Sequence, residues 1–350
     1  MAIKGRGAQL NTHNRFHSQK VVQEHIEGLD EEAGFESKTS FLTISPKSII
    51  NTVESPDIPA PYSMNPYQGC EHGCIYCYAR NSHEYWGYSA GLDFEQKILV
   101  KKNAAELLRK DLSAKNYKPD VILMSGNTDC YQPCEKKFGI TRSLLEVCLQ
   151  FKQPVGIITK NTLVERDMDL LQQLANDGLA QVILSVTTFD EHLRRALEPR
   201  TATAQRRLEC IRTLSDAGIP VSVLMAPVIP ALNSMEILDV AERCSEAGAL
   251  AFGHQVLRLN GQLLEIFKDW TRHHYPDRAE KIIHQTEELH GGKVNDNRFG
   301  TRMKGEGVIA QQIADMVKLA KRKYFSGKKA PEFNLNLFDQ HAADPQTRLF

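Results

Sequence analysis

A parallel α/β fold follows from three features of this 350-residue sequence. Short apolar runs of strand length alternate with amphipathic segments of helical period. Several of those segments close on a glycine, as at Gly178, Gly218 and Gly248, where a left-handed helix cap is expected. The length itself suits one main α/β domain with appendages.

Taken in order, residues 1–60 mix Gly, Asn and His with an acidic stretch at 24–36 and a Pro-rich end at Pro56, Pro59 and Pro61. Little periodicity is visible, so this region reads as an irregular arm laid on the domain. The core is expected at 61–260, with strands at 62–67, 121–125, 155–160, 181–188, 220–228 and 250–259, apolar enough to be buried on both faces of a parallel sheet. Helices at 103–113, 141–151, 165–177, 204–217 and 234–247 join them. Six βα units with right-handed crossovers give either an open doubly wound sheet or a full or partial barrel, and periodicity does not choose between these. Beyond the core the pattern becomes helical at 261–275, 277–289 and 308–325 around a Gly- and Arg-rich loop at 290–307, a C-terminal helical extension spanning 261–325. Residues 326–350 read as a loosely ordered polar tail.

Composition narrows the function classes. With 43 basic and 43 acidic residues the chain has no global field to attract nucleic acid, so any polyanion site must be local. Lys4, Arg6, Arg15 and Lys20 occur near the start without an apolar run behind them, which predicts neither a signal peptide nor a membrane span and makes the cytoplasm the expected compartment. There the eight cysteines are expected to be reduced. Cys148, Cys210 and Cys244 fall in apolar helical patterns and read as small core residues.

Cys70, Cys74 and Cys77 differ. Their C-x3-C-x2-C spacing supplies one thiolate too few for a closed four-ligand site, and a cluster held by three protein ligands leaves one iron open for chemistry. A tetrahedral zinc site completed by His72 or His83 is the alternative, although the second paired cysteine knuckle of a zinc ribbon is missing.

The run from Tyr67 to Arg80, with Tyr76 just before the last cysteine, resembles the cluster loop of the radical S-adenosylmethionine (SAM) superfamily. Together with Asn127-Thr-Asp-Cys-Tyr-Gln-Pro133, Leu197-Glu-Pro-Arg200 and Asn297-Arg-Phe-Gly-Thr-Arg-Met-Lys-Gly305, it resembles a bacterial branch related to spore photoproduct lyase, over roughly residues 40–325. The resemblance implies a partial (β/α)6 TIM-type barrel with an irregular N-terminal arm and C-terminal helices. It also implies a [4Fe–4S] cluster on Cys70, Cys74 and Cys77 that binds and reductively cleaves SAM, a reductant such as flavodoxin or ferredoxin, and hydrogen abstraction from a substrate. Nucleic acid is one substrate class; a peptide, RNA or metabolite is the alternative, and a non-catalytic zinc-binding interaction protein is a third reading. Fold and family do not fix which.

In such a barrel, ligands sit at the C-terminal ends of the strands. Gly126, Asn127, Thr128 and Asp129 end the second strand, where related proteins place a polar turn against the SAM amino group; a self-satisfied Asx turn is the other reading. Lys160 ends the third strand and Ser185 lies in the fourth, the places where relatives hold the SAM carboxylate, and a lysine ending an apolar strand inside a barrel calls for an anionic partner. Arg200 could fork onto a carboxylate or phosphate with Glu198 orienting it, or form a helix-end ion pair. Thr187 and Thr188 could reach a ribose or be β-formers in a strand. The two prolines in the 225–230 run suit a rigid wall against adenine, and His254, Arg258, Arg298 and Arg302 are candidates for substrate contact.

One residue departs from the branch. Photoproduct lyases carry a hydrogen-donating cysteine three residues before the aspartate of this turn, and Gly126 stands there instead. Cys130 is then the candidate catalytic thiol, with Cys134 at C-x3-C spacing as a redox partner, unless both are chance thiols in a loop.

Overall fold

In a computed structural model, residues 3–16 and 38–342 are described. The strands among them are β1 (Ser40–Thr43), β2 (Ile50–Thr52), β3 (Tyr62–Met64), β4 (Tyr67–Gln68), β5 (Lys97–Val100), β6 (Ile122–Met124), β7 (Val155–Thr159), β8 (Ala180–Ser185), β9 (Val221–Val228) and β10 (Ala251–Val256). The larger sheet has the order β10-β9-β8-β7-β6-β3-β2. Its six strands from β3 to β10 pair in parallel, while β2 runs antiparallel along β3.

That order decides between the two architectures. A doubly wound sheet reverses its strand order partway and places helices on both faces. Here each new strand joins beside the one before, so right-handed crossovers put the helices on one face and the twist curls the sheet around the other. β10 and β2 lie at opposite ends of the order and do not pair, so the result is an open, partial barrel.

The crossover helices include Ala104–Leu112, Ile140–Phe151, Met168–Asn176, Ala204–Asp216 and Ile237–Glu246, and their apolar stripes cover the outer face of the sheet. Val155, Ile157, Val182, Leu184, Val223 and Met225 are buried from the strand side. Removing each such side chain from water contributes roughly 1.5–3 kcal/mol before entropy is charged. No helix among the described residues is long and apolar enough to cross a membrane.

Three boundaries differ from the sequence reading. The first strand is split into β3 and β4, since Pro66 has no N–H to continue a ladder; β4 leaves for a small second sheet with the order β1-β5-β4. The arm at 1–60 is irregular over 3–16 but supplies β1 to the small sheet and β2 to the large one; its acidic stretch lies outside the described residues. The tail is docked rather than loose as far as residue 342. Asn334 and Asp339 donate backbone N–H bonds to Gly178 and Phe151 carbonyls, and Phe338 packs between Tyr117 and Phe151. Aromatics spaced along an otherwise polar segment were the apolar anchors.

Candidate active site

The cysteine loop follows β4 and is tied down from behind before any ligand is considered. Glu95, fully buried, accepts the backbone N–H groups of Gly7 at 3.0 Å and Ala8 at 2.8 Å and pairs with Arg80 at 2.5 Å. Arg80 in turn donates to the Cys74 carbonyl at 3.0 Å. Gly7 and Gly73 meet so closely that a Cβ on Gly7 would lie 1.8 Å from the Gly73 oxygen, which only glycine permits.

The other side of the loop is pinned by the segment after β8. Ile75 N–H donates to the Leu197 carbonyl at 3.0 Å, and Arg200 N–H to the His72 carbonyl at 3.3 Å. Glu198 is buried and saturated: it accepts from the Tyr76 hydroxyl, from Thr187 at 2.6 Å and from Arg207 at 2.5 Å. Burial alone would raise its pKa; the Arg207 and Lys160 charges overrule that and hold it at about 2.

Cys70, Cys74 and Cys77 line one cavity at the C-terminal mouth of the barrel, together with Tyr76, Lys160 and Ser185. Burial pushes all three thiols above their ordinary pKa, with neighbouring negative charge adding to the rise at Cys70 and Cys74. A bound cation would have to displace their protons. Lys160 sits 5.8 Å over the Tyr76 ring. Burial works against its charge, yet the Cys74, Glu198 and Asp129 sites together raise its pKa, and its ammonium makes no hydrogen bond among the described residues.

Asn127, Thr128 and Asp129 also line the cavity, but their side chains are occupied. Asp129 accepts from Tyr131 N–H at 2.9 Å, Thr159 at 2.8 Å and Lys160 N–H at 2.8 Å, and meets His72 at 3.3 Å. Burial opposes its charge, while His72 and these donors bring its pKa down. Thr128 donates to the Tyr67 carbonyl at 2.6 Å, and the Asn127 amide reaches Gln68 and Ser82. Of these, the Asp129 to Tyr131 N–H bond is the Asx bond the sequence suggested, and the other partners come from elsewhere in the chain.

Other sequence candidates are not brought to the cavity. Gly126 is excluded from the lining; a Cβ there would lie 2.9 Å from that of Ser63, so packing on β3 requires the glycine. Cys130 and Cys134 are buried in the main core, where Cys130 is surrounded by Ser125 and Thr141, so neither thiol reaches the cavity. Arg200 turns away to Glu71 at 3.5 Å, because Glu198 already has Arg207. Thr187 and Thr188 lie past the end of β8 and serve Glu198 and Glu236. Ala226 and Pro227 line the cavity as an apolar wall, and of His254, Arg258, Arg298 and Arg302 only Arg258 does.

Arg207 and Glu95 were missed in the sequence. Arg207 had a signal: it falls in the buried stripe Ala204, Arg207, Ile211, Leu214, where a charge needs a buried partner. Glu95 had none, since its partners are distant in sequence.

Residues 64–244 match the Radical SAM superfamily. The chain belongs to that superfamily. It is an enzyme family in which the site at the barrel mouth is the natural place for catalysis. Among its relatives, an uncharacterised protein of Mycobacterium tuberculosis is 33% identical over 241 residues, covering 68% of this chain and 71% of that one. The sporulation killing factor maturation protein of Bacillus subtilis is 25% identical over 281 residues, 76% of this chain and 62% of that one. In fold, this radical SAM protein is similar to spore photoproduct lyase complexed with dinucleoside spore photoproduct, with a TM-score of 0.62 at 14% identity over 87% of this chain and 86% of that one.

Proposed function

We propose that Cys70, Cys74 and Cys77 hold a [4Fe–4S] cluster and that the cavity binds SAM against it, so that the enzyme starts its reaction by abstracting a hydrogen atom from a substrate. The observation that carries this reading is the shared cavity: three thiols on one immobilised loop face the same space as an ammonium that makes no hydrogen bond among the described residues.

The donor set fits a cluster better than zinc. Three thiols on one loop at one cavity are the set a [4Fe–4S] cluster would take from the protein, with one iron left open. The two histidines considered for a zinc tetrahedron are not placed to complete it: His72 is engaged by Asp129 and Asn161, and His83, whose ring nitrogens have no hydrogen-bond partner among the described residues, packs against Tyr88 and Phe94 outside the cavity. When bound, the cluster supplies the electron that cleaves SAM to the 5′-deoxyadenosyl radical.

The chain's own residues do the rest. Lys160 and Ser185 hold the SAM carboxylate, Ala226 and Pro227 bound the adenine, and the buried ties through Glu95 and Glu198 keep the cysteine loop from moving. An electron donor of the flavodoxin or ferredoxin type completes the system. A nucleic acid is one substrate class, in keeping with the complex formed by spore photoproduct lyase. The glycine at 126 and the burial of Cys130 and Cys134 away from the cavity favour a second reading, modification of a peptide, RNA or metabolite without a protein thiol returning the hydrogen.

Protein purified without air should contain iron and sulfide and form 5′-deoxyadenosine from SAM with dithionite. Stoichiometric zinc without deoxyadenosine would sink the proposal.

A further inference from the structure

The cavity holds a second cation that SAM does not account for. Arg258 follows β10 and lines the space with Tyr78 and Gln255. The arginines around it already have partners: Arg302 pairs with Asp57 at 2.5 Å and reaches Ser55, and Arg298 pairs with Asp296 at 2.9 Å and Glu306 at 2.8 Å. The carboxylates nearest Arg258, Asp57 and Asp296, are thereby taken, and Arg258 makes no hydrogen bond or ion pair among the described residues.

Burial and the adjacent Arg302 charge both work against its protonated form. A guanidinium nevertheless keeps its proton in a protein. A half-buried, unpaired cation beside a second cation is unfavourable, and a bound oxyanion removes that cost through two parallel charge-assisted hydrogen bonds. SAM carries one carboxylate, which the proposed function assigns to Lys160 and Ser185, so Arg258 is left for a second anion.

We propose that Arg258 is the anion-reading residue of the substrate subsite, taking an oxyanion, phosphate or carboxylate, on the molecule whose hydrogen is abstracted. This assignment rests on the SAM-dependent reading of the cavity. It separates Arg258 from His254, Arg298 and Arg302, which the sequence alone left equivalent.

The test uses the full chain, purified without air and saturated with SAM, titrated by calorimetry with inorganic phosphate and separately with succinate. At least one probe should bind, and Arg258→Gln should weaken it by about tenfold or more, the scale of one charge-assisted pair. Arg258→Lys should fall between, because it keeps the charge and loses the fork. The tighter probe identifies the source of the oxyanion. As a measurement on the unaltered protein, phenylglyoxal should modify Arg258, and phosphate or succinate should protect it, as mapped by mass spectrometry. Absence of binding by both probes, equal affinity in Arg258→Gln, loss on Lys160→Gln instead, or modification of Arg258 unaffected by either anion overturns the assignment. Deoxyadenosine is scored on the same samples: anion binding without SAM cleavage refutes the functional reading, whereas cleavage without anion binding refutes this subsite alone.

Discussion

Around the cysteine loop the buried carboxylates Glu95 and Glu198 and the partly buried Asp129 are each saturated by donors from other parts of the chain. After β10, Arg258 makes no hydrogen bond or ion pair among the described residues while its neighbours pair off. The first arrangement fixes a geometry; the second keeps a charge available. A buried network that is fully satisfied is rigid and costly to disturb, whereas an exposed or half-exposed charge can be altered with little effect on folding. On the function proposed above, the chemistry that starts the reaction would sit in the rigid region, and recognition at the open charge.

Variants can break this contrast. The largest effect is expected from Cys74→Ala, which should abolish bound iron and deoxyadenosine while leaving far-UV circular dichroism unchanged; normal iron content would remove the cysteine loop from the rigid, catalytic end. Next, Glu198→Ala leaves Arg207 buried without its carboxylate and should cost about 3–5 kcal/mol in urea unfolding, whereas Arg258→Gln should leave the urea midpoint unchanged. Equal losses in the two would erase the distinction.

The same carboxylate gives a pH signature. Glu198 has a folded pKa of about 2 against an ordinary 4.5, so its contribution is complete above about 4.5 and is lost as pH falls toward 2. The sign is that of a depressed acid, and the magnitude is about 3 kcal/mol at neutral pH. Acid unfolding followed by fluorescence should therefore show a smaller loss in Glu198→Gln than in the wild type over that window. A smaller change still is expected from Gly126→Ala, whose new methyl meets Ser63 and should destabilise by about 1 kcal/mol through overpacking alone. If it instead abolished SAM binding with stability intact, Gly126 would belong to the ligand and not to the β3 packing.

Much of the architecture was legible because its signals are local. The helices at Ala204–Asp216 and Ile237–Glu246 announce themselves by apolar stripes and by the glycines that follow, and the strands by β-branched runs. The cysteine loop was legible for the same reason: three thiols within eight residues need no tertiary information. The docking of 326–342 was not, because polar composition hides a few aromatic anchors. The saturation of Asp129 was half legible, as an Asx turn, but its bonds to Thr159 and Lys160 required β7 beside the turn.

By itself, then, the sequence determined the βα alternation, the open thiolate triad and the presence of cations near strand ends, since each depends on neighbours a few positions apart. Only the tertiary structure decided that the sheet winds in one direction into an open barrel, that Glu198 serves Tyr76 and Arg207 instead of Arg200, and that Arg258 lines the cavity unpaired among the described residues. The reason is that charge pairing is settled by distance in space. Asp57 and Arg302 lie 245 positions apart in the chain, and their contact takes up a carboxylate that Arg258 could otherwise have paired with.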